Sequence, residues 1–83
     1  MKKITIYSTR ICPYCVRAKN FFNKKNLNYT EIMIDRDPDQ MKKMIEKSGR
    51  QSVPQIFIDD YHVGGFDDLI EHDMDGKLDE LLS

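Results

Sequence analysis

Two cysteines stand two residues apart where the sequence changes from strand character to helix character. The segment Cys12-Pro13-Tyr14-Cys15 contains the only cysteines of the 83-residue chain. Residues 4–7, before it, alternate β-branched and aromatic side chains as a strand does. After it, apolar residues recur at the spacing of one helix face: Cys15, Ala18 and Phe22. Because proline suits the first position of a helix, the pattern predicts a helix that begins at Pro13, with Cys12 at its N-terminus.

The two thiols are expected to differ in reactivity because they occupy different positions in this helix. Unpaired N–H groups and the positive end of the helix dipole favour a thiolate at Cys12, and the thiolate is the nucleophilic form. Cys15, one turn later, is expected to face the helix body and to stay protonated. We therefore predict thiol–disulfide exchange in which Cys12 attacks a disulfide and Cys15 resolves the mixed disulfide.

Two other roles for this cysteine pair are open from the sequence. A structural zinc site needs about four nitrogen or sulfur ligands, and the only histidines available are His62 and His72. A structural disulfide over so short a loop constrains the unfolded chain little. Redox chemistry is therefore the preferred interpretation, and no metal site is predicted.

Length and composition indicate one small globular domain over residues 1–83. Hydrophobic residues make up 40% and charged residues 33% of the chain, a balance typical of globular rather than disordered proteins. A net charge of −1 does not indicate nucleic-acid binding. We find no apolar run suited to a membrane span or a secretion signal, and we expect a cytoplasmic protein in a reducing compartment.

The hydrophobic pattern predicts an alternation of strands and helices. The predicted elements are a strand near 3–7, a helix near 13–25, a strand over 29–34, a helix with cap Asp37 and end Gly49, strands over 55–58 and 61–63, a helix over about 67–71, and a last helix after Gly76. In the second helix, Met41, Met44 and Ile45 are assigned to the core. Summarised as β-α-β-α-β-β-α, the order predicts an α/β fold with a mixed four-stranded sheet and helices on both faces.

Two later segments place glycine or proline beside predicted strands. In Ser52-Val53-Pro54 the proline precedes an apolar strand, and either a cis Val53–Pro54 bond or an ordinary trans strand entry accounts for it. In Gly64-Gly65-Phe66-Asp67-Asp68 the glycines allow a ligand to approach closely, helix N–H groups can hold a carboxylate, and Asp67 can receive an amine. An α-amino acid group would satisfy both demands. The simpler alternative is a glycine turn followed by a capping aspartate.

These three motifs, taken in this order, resemble the glutaredoxin family over essentially the whole chain. Within that family the sequence is most similar to the small bacterial dithiol glutaredoxins with a Cys-Pro-Tyr-Cys active site. The resemblance implies a thioredoxin fold, with Pro54 in cis and facing the active-site cysteines. It also implies that Cys12 is the nucleophile, that Cys15 is the resolving thiol, and that glutathione is substrate and reductant, with no permanently bound cofactor.

The resemblance further implies a glutathione site. Tyr14 would flank the tripeptide, and the Val53 backbone, beside Pro54, would pair with its cysteinyl part. Phe66 and Asp67 would hold the γ-glutamyl end, through a backbone N–H and the carboxylate respectively.

The chain departs from the family pattern at the glycyl end of this site. Many relatives have lysine where this chain has Thr9, so the adjacent Arg10 is the candidate for the glycyl carboxylate. A second contact usually comes from the position occupied by Met41, where Gln40 or Lys42 are the candidates.

The predicted function is glutathione-dependent reduction of protein disulfides and glutathione mixed disulfides by a monomeric protein. Resemblance to the family adds ribonucleotide reductase to the expected protein targets. One alternative is a redoxin that is reduced by thioredoxin reductase. Another is an iron–sulfur carrier, in which Cys12 and glutathione from two subunits would ligate a shared cluster.

Overall fold

The computed structural model describes residues 2–83, which form a mixed four-stranded sheet with four helices. The elements are β1 (Ile4–Ser8), α1 (Pro13–Lys24), β2 (Thr30–Met33), α2 (Pro38–Ser48), β3 (Gln55–Ile58), β4 (Tyr61–Gly64), α3 (Phe66–Met74) and α4 (Lys77–Leu82). The C-terminal helical region is divided near Gly76 into α3 and α4, and α3 is longer than the predicted 67–71.

The strand order β2-β1-β3-β4 places β1 inside the sheet. β2 runs parallel to β1, with Ile32 opposite Tyr7, and α1 supplies the crossover that a parallel pair requires. β3 runs antiparallel to β1, with Gln55 opposite Tyr7. The start of β3 therefore lies beside the end of β1, which brings Val53 and Pro54 next to the segment that carries the cysteines.

Side chains that alternate along the strands form a hydrophobic cluster on each face of the sheet. One cluster joins the sheet to α1, α3 and α4, and its buried members are Ile4, Ile6, Ala18, Phe22, Ile56, Ile58, Val63, Leu69 and Leu78. The other lies beneath α2 and contains Tyr7, Ile34, Met44 and Phe57. Helices thus cover both faces, and the predicted fold class is confirmed.

Local capping residues set the ends of α2. The Asp37 side chain accepts a hydrogen bond from the Gln40 N–H at 3.2 Å, and Pro38 occupies the first turn. Gly49 ends the helix in the left-handed region with φ of 72°. Of the residues assigned to its core face, Met44 is fully buried but Met41 is 37% exposed, so the prediction for Met41 is wrong. Met41 lies one turn before Met44, beyond the hydrophobic cluster beneath this helix.

Candidate active site

Cys12 is the N-cap residue of α1. Its backbone is extended, and its Sγ accepts a hydrogen bond from the Cys15 N–H at 3.2 Å. Pro13 takes the first helical position, as predicted. A sulfur at a helix N-terminus that already receives a backbone N–H lies in a field that favours negative charge. Cys12 is partly buried and is a free thiol.

Cys15 lies one turn further along α1 and has no exposed surface. Burial raises the pKa of its thiol to about 12, and its interaction with Cys12 acts in the same direction. The Thr9 backbone and the Lys19 charge oppose this increase. The Cys15 thiol therefore holds its proton at neutral pH, in keeping with its predicted position facing the helix body.

The peptide bond between Val53 and Pro54 is cis, the isomer that the family resemblance implies. The Cys12 thiol donates to the Val53 carbonyl, with an Sγ to oxygen distance of 3.8 Å, so this loop faces the cysteines. Gln55, which is fully buried, supports the loop by donating from its amide nitrogen to the Ser52 carbonyl at 2.9 Å.

An open cleft of about 300 Å³ lies beside this loop. It is lined by Tyr14, Arg50, Ser52, Val53, Pro54, Gln55, Gly65, Phe66, Asp67 and Asp68. The rings of Tyr14 and Phe66 lie 6.2 Å apart between their centroids. The structure thus brings together five residues assigned from the sequence to ligand binding: Tyr14, Val53, Pro54, Phe66 and Asp67.

Arg10, by contrast, does not line this cleft. Its Nε lies 3.2 Å from an Asp35 carboxylate oxygen, and its backbone N–H donates to the same oxygen at 3.3 Å. Burial acts to raise the pKa of Asp35, but the hydrogen bonds and the charge of Arg10 together outweigh it and lower that pKa. Arg10 is therefore held by an ion pair at the surface, apart from the residues that form the cleft.

The N-terminus of α3 forms one wall of the cleft and is organised by Asp68. Its carboxylate accepts from the Gly65 N–H at 2.9 Å and from the Arg50 guanidinium at 3.0 Å. The Gly65 hydrogen bond, followed by the contact with Arg50, lowers the pKa of Asp68. Asp67 precedes it on the exposed rim of the cleft. The capping role that the sequence left open thus belongs to Asp68.

Sequence reasoning did not assign Arg50, Ser52 or Gln55 to the site. Arg50 reaches the cleft through Asp68, a partner 18 residues later in the chain. Gln55 reads as an ordinary strand residue, yet its amide is buried and its Oε1 lies 2.7 Å from His62 Nε2. Proximity to Pro54 is the only sequence feature that could have pointed to all three.

Within residues 2–83, no three His, Cys, Asp or Glu side chains come together in a group able to hold a metal ion. None of the helices in this range combines the length and the apolar composition that a membrane crossing requires.

The chain is similar to known proteins along its whole length. The family model described as Glutaredoxin matches residues 4–63. Glutaredoxin 3 of Escherichia coli (strain K12) is 46% identical over 82 residues, which cover 99% of both chains. A glutaredoxin of Pseudomonas aeruginosa is 45% identical over 83 residues, or 100% of this chain and 99% of that protein.

Solved structures show the same architecture. A buckwheat glutaredoxin-glutathione complex superposes with a TM-score of 0.86 at 31% identity, covering 98% of this chain and 76% of that one. The solution structure of glutaredoxin from Brucella melitensis gives a TM-score of 0.84 at 45% identity, with coverage of 99% and 89%. The predicted thioredoxin fold is confirmed by these similarities.

Proposed function

This chain belongs to the glutaredoxin family, and from that premise we propose that it is a glutathione-dependent thiol–disulfide oxidoreductase working through a reversible Cys12–Cys15 disulfide. The observation that carries the proposal is the unequal setting of the two thiols. Cys12 is partly exposed at a helix N-terminus beside an open cleft, whereas Cys15 is buried and protonated. A nucleophile and a resolving thiol need these two environments.

We assign the cleft to glutathione. The Val53 backbone, whose carbonyl faces Cys12, would pair with the cysteinyl part of the tripeptide. At the start of α3, the free N–H groups suit the γ-glutamyl carboxylate and Asp67 suits its ammonium group. The buckwheat relative, whose structure is a glutathione complex, supports the same ligand here.

The glycyl carboxylate would lie at the other end of the tripeptide. Arg10 stays the candidate for it, and its ion pair with Asp35 would have to open or be shared. Gln40 and Lys42, on α2, are the alternatives. An exposed ion pair contributes only about 0–1 kcal/mol, so its rearrangement would affect affinity little.

In the proposed reaction, Cys12 attacks a disulfide sulfur and releases one thiol. When the substrate is a glutathionylated protein, Cys12 takes up the glutathione and a second glutathione removes it. When the substrate is a protein disulfide, Cys15 attacks Cys12 in the mixed disulfide and releases the protein as a dithiol. Two glutathione molecules then reduce the Cys12–Cys15 disulfide.

The setting of this reaction is also part of the proposal. We propose that residues 1–83 form a single domain that acts as a monomer. We also propose that it acts in the cytoplasm, where a reactive cysteine pair is kept reduced. Its protein substrates would be cytoplasmic disulfides such as that of ribonucleotide reductase. Glutathione is the reductant, and no permanently bound cofactor is required.

The test is a glutathione-coupled reduction assay with a small mixed disulfide and with a protein disulfide. We expect Cys12→Ser to be inactive on both substrates and Cys15→Ser to retain only the mixed-disulfide activity. Activity of the wild type with thioredoxin reductase, but not with glutathione, would contradict the proposal. A brown, dimeric protein after anaerobic purification would favour the iron–sulfur carrier instead.

Asp67→Ala tests the assigned glutathione site in the same assay. Loss of a charge-assisted hydrogen bond to the ammonium group should raise the KM for glutathione about tenfold. Asp39→Ala is the matched control, because both aspartates lie in the first turn of a helix, α3 and α2 respectively. Equal effects of the two substitutions would argue against the site.

A further inference from the structure

A second group of polar side chains lies at the junction of β1, β2 and α1, outside the glutathione cleft. Ser8, the last residue of β1, is completely buried, and its hydroxyl donates to Glu31 Oε2 at 2.6 Å. The Lys19 ammonium group donates to the same oxygen at 2.9 Å. The three residues come from three elements and form one hydrogen-bonded chain, Ser8–Glu31–Lys19.

Lys19 lies close to the resolving cysteine. Lys19 lies four positions after Cys15 on α1, which makes them neighbours on one face of the helix. Each affects the charge state of the other: the Lys19 charge favours the Cys15 thiolate, and the thiolate favours the charged lysine. The groups that act on Cys15 are Cys12, the Thr9 backbone and Lys19, so Lys19 is the only cationic side chain among them.

The polar chain keeps Lys19 charged and fixed in place. The hydrogen bond to Glu31 raises the pKa of Lys19, although burial opposes this. Ser8, and then Lys19, lower the pKa of Glu31, so the carboxylate stays ionised. Only 26% of the Lys19 side chain and 29% of the Glu31 side chain are exposed, which limits screening by solvent. Lys19 is thus a permanent positive charge and not a proton acceptor.

We propose that Lys19, held by Glu31 and Ser8, is a positioning residue that stabilises the Cys15 thiolate when Cys15 attacks the mixed disulfide on Cys12. This inference rests on the proposed dithiol function. In the step concerned, Cys15 loses its proton and its sulfur forms a bond to Cys12 Sγ. The bond between Cys12 and the substrate sulfur breaks, and the departing thiolate takes up one proton. Cys15 is oxidised, the leaving sulfur is reduced, and no other reactant is needed.

The simplest competing explanation is that the ion pair only fastens α1 to the edge strand β2. A fastening role would affect every reaction of the protein, whereas a charge acting on Cys15 affects only the step that Cys15 carries out. The two are separated by making Lys19→Met in the wild type and also in a Cys15→Ser background, where the resolving step is absent.

The experiment is stopped-flow release of the second glutathione after reduced protein is mixed with oxidised glutathione, followed over a range of pH around neutrality. The first glutathione leaves when Cys12 attacks, and the second leaves only when Cys15 resolves the mixed disulfide. Lys19→Met should slow the release step by about threefold to tenfold, the effect expected from one partly screened charge. The pH profile of this step should move to higher pH, and Lys19→Arg should restore most of the rate. Glu31→Gln, which leaves the lysine charged but loosely held, should give a smaller change in the same direction.

Lys25→Met is the matched control, because Lys25 follows the same helix and its Nζ lies 3.1 Å from Asp73 in a comparable ion pair. It should leave the release step unchanged. In the Cys15→Ser background, Lys19→Met should leave mixed-disulfide reduction unchanged. An equal loss in both backgrounds, or an equal loss in Lys25→Met, would overturn the inference.

The outcome for the wild type separates this inference from the proposed function. Release of the second glutathione by the wild type together with an unaltered rate in Lys19→Met would refute the role of Lys19 and leave the proposed function intact. Absence of the second release from the wild type would refute the dithiol function itself, and the inference with it.

Discussion

Gly64 is the position where adding a single methyl group should disturb the site most. It ends β4 with φ of +118°, a conformation that residues with a side chain rarely adopt. A Cβ at this position would lie 2.7 Å from Asp68 Cγ and 2.9 Å from Asp68 Cβ, and it would contact Asp68 Oδ2. Because Asp68 Cβ is fixed to α3, rotation of the carboxylate alone cannot relieve the contact.

The expected loss for Gly64→Ala has two parts. Strain in the backbone contributes about 1–3 kcal/mol. Displacement of Asp68 contributes about 1.5–3 kcal/mol, since its charged carboxylate caps the Gly65 N–H. The exposed pair between Arg50 and Asp68 adds little. We expect a decrease of roughly 3–5 kcal/mol in the free energy of unfolding, a large part of the typical stability of a small domain.

Urea unfolding followed by circular dichroism measures this loss. Gly49→Ala is the control, because Gly49 also has a positive φ, of +72°, but an added Cβ there has no atom within 4 Å. It should cost only about 1–2 kcal/mol. The double variant Gly64→Ala/Asp68→Ala should be more stable than the sum of its single variants predicts, because the contact with Asp68 Cγ is removed. Equal losses for the two glycines, or strict additivity in the double variant, would refute the reasoning.

Two further predictions concern side-chain hydrogen bonds elsewhere in the fold. Asp37→Ala removes the cap on the Gln40 N–H and should lower the free energy of unfolding by about 1 kcal/mol in urea titration; an unchanged midpoint would show that the cap is dispensable. Glu31→Gln should be less stable than the wild type at neutral pH, because Ser8 and Lys19 lower the pKa of the folded carboxyl. Stabilisation by the ionised Glu31 is present above the pKa of the unfolded carboxyl, about 4.3, and is lost as the pH falls through the pKa of the folded carboxyl. The free energies of unfolding of the wild type and Glu31→Gln should therefore converge in acid, and a difference that stays constant with pH would contradict the prediction.

The fold could be predicted largely because its signals are local. The alternation of side-chain types in β1 and the short apolar run of β3 mark these segments as strands, and the ends of α2 follow from Asp37 and Gly49. Met41 marks the limit of this reasoning. Helical spacing says which residues share a face, but the extent of the opposite surface decides which of them are covered, and that surface is set by the packing of the sheet.

The part of the candidate site that could be predicted also depends on local signals. Cys12 and Asp67 occupy positions defined by their own helix starts, which neighbouring residues specify. Arg10 was assigned because it is adjacent to Thr9, the position where many relatives have lysine, yet it pairs with Asp35, 25 residues later. Charged side chains on loops have several oppositely charged partners within reach, and the strand register selects among them. Sequence proximity therefore identifies the reactive groups better than it identifies the charges that serve them.

The environment of Cys15 shows why the second thiol is the harder one to interpret from sequence. The setting of Cys12 follows from a single helix end, whereas that of Cys15 depends on three elements meeting. Parallel pairing of β1 with β2 places Met33 opposite Ser8, and so brings Glu31, two residues earlier, to the level of Lys19. A shift of one residue in that register would turn Glu31 to the other face of the sheet. The charge beside the resolving thiol is thus fixed by strand pairing, and only a structure reveals it.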